Sequence, residues 1–479
     1  MKYCQDGLRA DDARARTVAT HMNPIIDFIN ANRDRYLAEL KTYLAIPSIS
    51  ALPEHAGDVR RCAEWTRDEL TRVGLQNVRL EETPGHPIVY GEWLGAPGAP
   101  TMLFYGHYDV QPVDPVDLWE SPPFEATVRD GEIYARGSAD DKGQIFMHFK
   151  AIEAHLKTGK LPINVKVVLE GEEEVGSANL DDYIKAHKAE LAADVVVISD
   201  SPMFDRGIPS ICYGLRGLAY FQIDLRGTAS DLHSGSFGGA VANPAFVLAQ
   251  ILAGAKDKSG KIKIPGFYDK VRELAPEERA EFGKLPFKEN KYRKDLGAPK
   301  LFGEKGYTTL ERVWGRPTFE VNGLLAGFTG EGAKTVIPAV AMAKISTRLV
   351  PDQDPEEIAK LIEAWLQNTA PKTVEVKLTK MHGGKPWMTS FDNKFVQAAA
   401  RAIELGFRER PVFNREGGSI PVVSTFSEEL GLPTVLFGIG LPDENAHAPN
   451  EKLDLSNFHN GVVASAHLYN EIANAGTGA

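Results

Sequence analysis

Four short apolar runs, Thr101–Tyr105, Ile163–Leu169, Asp194–Ile198 and Thr434–Phe437, constrain the fold of this chain more than any other feature. Each is strand-sized, and helical patterns stand between and before them. Asn23 as cap and Pro24 at the first helical position open a helix whose apolar stripe is Ile25, Ile29, Tyr36, Leu40 and Leu44, with Pro47 past its end. A second helix runs from Asp58 to Val73 and stops at Gly74, and a third, Lys142–Lys157, lies between the first two strands. Alternation of this kind predicts an α/β domain: a mixed, largely parallel sheet flanked by helices.

The middle of the chain has a different rhythm. Leu218–Leu225 and Ala341–Leu349 alternate like half-exposed strands, Asn243–Leu252 and Pro355–Gln367 are helical, and Thr373–Leu378 is a further strand. The stretch 255–317, rich in Lys, Pro and Gly, is expected to form loops and short helices. At 479 residues the chain is too long for one ordinary core. The expected division is a discontinuous domain of residues 23–212 and 388–479, with a smaller α+β (βαββαβ-like) insertion over 213–387. Residues 1–22 carry charges throughout and no apolar centre, so they are expected to be a disordered extension rather than a secretory signal.

Composition narrows the partners. Lys+Arg 54 against Asp+Glu 65 leaves a net charge of −11, which argues against nucleic acid and anionic membranes. No apolar run approaches the ~18 residues of a membrane helix. The three cysteines, Cys4, Cys62 and Cys212, are scattered and odd in number, which suits a reducing cytoplasm and makes no disulfide framework.

Potential metal ligands fall where such a sheet places its sites. His107 and Asp109 follow the first strand, Asp140 and Asp141 precede the helix at 142, and Glu172, Glu173 and Glu174 follow the second strand. Asp200 follows the third, and His447 lies past the fourth. Taken singly, each has an ordinary reading as a loop histidine, a charged helix start or a solvated turn. Together, leaving the carboxyl ends of parallel strands, they converge on one crevice. Nitrogen and oxygen donors without cysteine suit Zn, Mn or Co better than Mg or Ca. His148 and His155, seven apart on the helix after Asp140, are expected to be ordinary exposed or half-buried residues.

The strings GHYDVQP (106–112), ARGSADDKG (135–143), LEGEEEVGS (169–177), DLHSG (231–235), VIP (336–338), RLVP (348–351) and REGGSIP (415–421) resemble the di-zinc metallopeptidases. That family includes carnosine dipeptidase, aminoacylase, acetylornithine deacetylase, succinyl-diaminopimelate desuccinylase and carboxypeptidase G. REGGSIP, DLHSG and the long insertion look closest to its dipeptidase branch. The resemblance implies two divalent ions per chain, zinc first and Mn or Co as alternatives. Asp140 would bridge them, with His107 and Asp200 completing one site and Glu174 and His447 the other. Asp109 would orient His107, and Glu173 would be the general base acting on a hydroxide shared by the ions. The Glu-Glu-x-Gly-Ser pattern ending at Gly176-Ser177 sets this register and leaves Glu172 as the extra residue.

The resemblance further implies that the insertion is a lid and dimerisation domain, and that its His233 stabilises the tetrahedral intermediate in the neighbouring protomer. Arg348 would clamp a substrate carboxylate, and Thr335, Gly418 and Ser419 would supply further hydrogen bonds. The expected activity is hydrolysis of small peptides by a cytoplasmic homodimer. Two alternatives remain open at this stage: an N-acyl-amino-acid deacylase on the same scaffold, and a non-catalytic dimeric binding protein.

Overall fold

Residues 22–476, apart from Ser419, are described by the computed structural model. They fall into two units, one made of the chain up to Tyr213 with Thr389–Asn414 and Thr425–Ala479, the other of Gly214–Met388 with Arg415–Ser424. The expected extension over 1–22 lies outside the described residues except for Met22, which is helical and 2% exposed.

In the first unit the sheet runs in the order Gln76–Glu81, Ile88–Trp93, Asn164–Glu170, Thr101–His107, Val195–Ile198, Thr434–Leu436 and Ser210–Leu215. The strands from Asn164–Glu170 to Thr434–Leu436 pair in parallel. Those on either side of them are antiparallel. The fold is therefore α/β, mixed but parallel at its centre. The parallel strands are almost wholly buried, as a sheet covered on both faces requires. Register puts His107 opposite Glu170 and Tyr105 opposite Ile198. The residues that follow these strands therefore leave the sheet along one edge, which positions the site.

The helix Lys142–Thr158 passes through the core, buried from Lys142 to His155. His148 and His155 are accordingly neither exposed nor half-buried; both are fully enclosed. His148 Nε2 lies 2.8 Å from Ser199 Oγ, and its Nδ1 lies 3.2 Å from the Tyr469 hydroxyl. His155 Nε2 reaches the Ala466 carbonyl at 3.0 Å. Each has a local polar partner, which is what lets an imidazole sit in an apolar interior.

The first helical stretch also departs from expectation. The chain is already helical at Met22 and Asn23, so Asn23 is not its cap. The single helix expected from there to Leu44 is broken at Asn32, after which Arg33–Leu44 forms its own helix. Asn32 donates from Nδ2 to the Phe28 carbonyl (2.7 Å) and accepts from Arg35 Nε (3.0 Å). Such side-chain bonds compete with the helix ladder. The helix Ala56–Val73 ends at Gly74, in the left-handed region at φ 112°.

The second unit follows the chain order strand, helix, strand, strand, helix, strand: Gly217–Arg226, Pro244–Gly254, Thr318–Ala326, Val340–Leu349, Pro355–Thr369 and Glu375–Gly384. Its four-stranded sheet is antiparallel, in the order Thr318–Ala326, Val340–Leu349, Gly217–Arg226, Glu375–Gly384. Gly217–Arg226 and Val340–Leu349 alternate strictly, and their inward residues (Phe221, Ile223, Ile345) pack with Leu248, Ile358 and Ile362 of the helices. The stretch 255–317 contains the short helices Pro276–Lys284, Glu289–Asp295 and Thr309–Gly315, the last opened by a Thr308–Glu311 capping box. No helix among the described residues is long and apolar enough to cross a membrane.

Candidate metal centre

His107 closes the central strand and is fully buried. The preceding Gly106 makes room for the helix behind it: a Cβ there would lie 2.2 Å from Ile145 Cγ2 and 2.7 Å from Asp141 Oδ2. His107 N donates to Asp141 Oδ2 (3.2 Å). The ring Nδ1 lies 3.2 Å from the Asp109 carbonyl and 3.4 Å from Asp109 Oδ1. That environment puts the proton on Nδ1 and leaves the Nε2 lone pair facing the crevice.

Asp109, also fully buried, ties the ends of two strands together. It accepts from Ser50 Oγ (2.6 Å) and from the backbone N–H groups of Glu173 (3.3 Å) and Glu174 (3.1 Å). Glu173 and Glu174 lie in a short 3-10 turn just beyond the strand Asn164–Glu170. Within the glutamate triplet, Glu172 turns aside to accept from Asn179 Nδ2 (2.7 Å). Glu174 faces the crevice: its Oε2 is 3.3 Å from His447 Nε2 and accepts from Gln111 Nε2 at 2.7 Å.

Asp140 stands at the middle. Its Oδ1 is 3.0 Å from His107 Nε2, and its Oδ2 is 3.0 Å from His447 Nε2. Two sets of potential donor atoms lie within 4.8 Å of one another, His107 with Asp140 and Asp200, and Asp140 with Glu174 and His447. Asp140 belongs to both. His447 is exposed, at φ 61°, between Asn445 (φ 57°) and Asn450 (φ 62°). Left-handed residues other than glycine each cost on the order of 1–3 kcal/mol unless neighbours hold them. Here Asn450 holds the loop, accepting from Glu120 N (2.8 Å) and donating to the Leu118 carbonyl (2.9 Å).

The electrostatics fit divalent cations. Burial raises the carboxyl of Glu173 well above the usual range, and that of Asp141 likewise; burial and Asp140 push Asp200 up to about 7. Burial opposes ionisation of Asp140 too, but the neighbouring His107 and His447 imidazoles outweigh it and hold this carboxyl below the usual range. Hydrogen bonds to Asp140 and Glu174 push His447 up to about 10. So many acids in one crevice must bind protons or cations. Two donor atoms argue for cations. His107 Nε2 is buried and, though 3.0 Å from Asp140 Oδ1, is not aligned to hydrogen-bond it; Glu174 Oε1 is likewise buried without a hydrogen bond. Buried donor atoms left without a hydrogen-bond partner are what metal coordination uses.

The remaining candidates lie in the second unit. His233 is exposed, and its Nδ1 accepts from Gly235 N (3.0 Å) and Ser236 N (3.3 Å), which puts the proton of the neutral ring on Nε2. Thr335, also exposed, lies beside it, its carbonyl accepting from Ser234 N at 3.1 Å. Arg348 lines a cavity of about 390 Å³ together with Arg216, Arg316 and Ser346. Arg216 Nε donates to the Gly417 carbonyl (3.0 Å), and a Cβ on Gly417 would come within 2.9 Å of Arg216 Nη2. A Cβ on Gly418 would meet nothing within 4 Å, so of the glycine pair it is Gly417 that close approach requires. Ser419 lies outside the described residues.

Three supporting residues were not anticipated: Ser50 and Gln111, which hold Asp109 and Glu174, and Glu451, which accepts from the N–H of Asp140 (3.1 Å). Asp141, expected among the potential ligands, instead accepts from the backbone N–H of His107. Gln111 stands inside the GHYDVQP string, and Glu451 is four residues past His447. Proximity to a ligand in sequence was the available signal.

Known proteins resemble this chain over nearly its whole length. The Cys-Gly metallodipeptidase dug1 of Schizosaccharomyces pombe is 34% identical over 468 residues, 94% of this chain and 98% of that protein. The Beta-Ala-His dipeptidase of Homo sapiens is 30% identical over 470 residues, 94% of this chain and 93% of that protein. The crystal structure of an M20 family metallo-carboxypeptidase, Sso-CP2 of Sulfolobus solfataricus, superposes with a TM-score of 0.82 at 34% identity, covering 92% of this chain and 99% of that one. The sequence pattern of peptidase family M20/M25/M40 matches residues 103–471, which takes in His107, Asp140, Glu174, Asp200 and His447, and the chain belongs to that family.

Proposed function

We propose that this protein is a metal-dependent dipeptidase that hydrolyses the amide bond of small unblocked peptides, with Cys-Gly and β-alanyl dipeptides as the first candidates. The observation that carries the reading is the Asp140 carboxylate, one oxygen toward His107 and the other toward His447. With Asp200 on one side and Glu174 on the other, these residues would hold two divalent ions, zinc first and Mn or Co as alternatives. Bound there, the ions would polarise the scissile carbonyl and acidify water.

Glu173 is the general base: it takes the proton of the attacking water and returns it to the leaving amine. Its burial favours the protonated form, and cations bound nearby would oppose that. Asp109 keeps the His107 proton on Nδ1. His233, with its Nε2–H free to donate, stabilises the oxyanion in the site of a second copy, so the protein acts as a cytoplasmic homodimer built through the second unit. Arg348 binds the substrate carboxylate, and Thr335, Gly418 and Ser419 complete the polar contacts.

A second reading, release of the C-terminal residue from longer peptides, is favoured by the likeness to the metallo-carboxypeptidase. Assays on matched dipeptides, tripeptides and N-acetyl dipeptides separate the readings. The expected result is turnover of the dipeptides at least tenfold above the others. Preference for the tripeptides would favour the carboxypeptidase, and hydrolysis of the blocked set alone would make the protein a deacylase.

A further inference from the structure

Asp140 and His447 lie 307 residues apart in sequence, yet the structure brings their side chains to 3.0 Å. Four residues past His447, the side chain of Glu451 is fully buried and points back to the segment that carries Asp140. Its Oε1 accepts from Ala139 N (2.9 Å) and Asp140 N (3.1 Å). Its Oε2 accepts from Gly137 N (3.0 Å) and Arg136 Nη1 (2.6 Å). A carboxylate offers about four acceptor positions, and here every one is taken by residues 136–140. Its own backbone carbonyl accepts from Ala135 N at 3.1 Å. Arg136, 1% exposed, also donates from Nη2 to the Pro112 carbonyl (3.0 Å), in the segment that follows His107 and Asp109.

We propose that Glu451 is a positioning residue of the metal centre: anchored by Arg136, it sets the backbone of Asp140 against the loop that presents His447, so that both halves of the centre depend on one buried carboxylate. A buried ion pair is weak evidence for stability in its own right. What gives this one a purpose is the direction of its bonds. Three of them hold backbone N–H groups in the segment ending at Asp140, and the acceptor stands on the same short loop as the His447 imidazole. Glu451 touches neither ion nor substrate and acts through Asp140. The inference rests on the metal-centre reading.

The test compares the wild-type chain with Glu451→Gln, whose amide sets a donor against donors at one of the two oxygen positions. Metal-stripped protein is titrated with zinc in competition with a chromophoric chelator, its unfolding midpoint is measured without metal, and kcat and KM are taken on a dipeptide. Zinc affinity is expected to fall by about ten- to a hundredfold, as for other groups that orient ligands from behind. The metal-free midpoint should move by only a few degrees, and kcat should fall with KM within about twofold of wild type. Glu451→Asp, which keeps both oxygens, should recover part of the zinc affinity. If Glu451→Gln does not fold, Arg136→Lys carries the same measurement: it weakens the anchor and keeps the charge. Wild-type zinc affinity in a folded variant, with only the unfolding midpoint lowered, would make the pair purely structural and overturn the inference. A wild-type chain that takes up no zinc would instead overturn the metal-centre reading.

Discussion

Candidate residues in the two units are held in opposite ways. In the first unit His107 and Asp109 are fully buried, and Asp109 alone accepts from a hydroxyl and two backbone N–H groups. Behind Asp140 stands Glu451 with all its acceptor positions occupied. In the second unit His233, Thr335 and Gly418 are exposed, and the His233 ring accepts from the N–H groups of the turn that follows it. On the proposed reading, the groups that would bind cations and move protons are, apart from the exposed His447, fixed and desolvated before any substrate arrives, because electrostatic catalysis gains most from dipoles that need not reorganise. Groups that would meet the substrate keep a polar end open. Substitutions in the first unit should therefore cost chemistry or metal, and substitutions in the second should cost turnover without touching the fold.

Glu173→Ala tests the first half of that contrast and carries the largest expected effect. Turnover should fall by ~10²–10⁴, the usual contribution of general acid–base catalysis, while the metal content per chain stays at the wild-type value. Elemental analysis beside kcat checks both. A loss below tenfold would remove Glu173 from the role of base and leave the first unit's rigidity without a catalytic purpose.

His233→Ala tests the other half. Loss of one oxyanion donor should lower kcat by ~10². The unfolding midpoint should stay where it is, because the side chain is exposed and replacing such a residue typically changes stability by within about 0.5 kcal/mol. If the midpoint drops and kcat per folded chain does not, the histidine serves only its turn, and the contrast between the units fails.

What was legible in the sequence follows the same division of forces. The parallel strands declared themselves because burial on both faces leaves unbroken apolar runs. The candidate ligands stood out because they leave the ends of those runs. The strand Thr318–Ala326 was missed for a physical reason: it is an edge strand with only Phe319 buried, and its register slips between Val321 and Gly323, so no alternation survives to be read. The break at Asn32 depends on one side chain bonding to a carbonyl four residues back, which periodicity does not register. Glu451 and Ser50 were invisible as parts of the site because their roles exist only through contacts with distant segments. His148 misled because a histidine carries no mark of whether its neighbours in space are water or phenylalanine; in this fold Phe104 packs against it with ring centroids 4.2 Å apart.

His148 also gives the sharpest control on the comparison, since it is as buried as His107 and lies in the same unit. Burial alone lowers its pKa to about 3. A histidine depressed in the folded state contributes stability that is fully present above its unfolded pKa of about 6.5 and is lost as the pH falls toward 3. His148→Gln removes that proton from the balance. The slope of unfolding free energy against pH should therefore fall by up to one proton, ~1.4 kcal/mol per pH unit, between pH 6 and 4. Denaturant melts of metal-free protein across that range measure it. At pH 7, with metal supplied, kcat on a dipeptide should stay within about twofold of wild type, because the Ser199 and Tyr469 hydroxyls already occupy both ring nitrogens and Phe104 packs on the ring. A wild-type acid slope together with a tenfold loss of kcat would mean that a buried imidazole in this unit takes part in chemistry wherever it sits. Burial by itself would then be enough to give an imidazole a catalytic part, and the contrast between the units would dissolve.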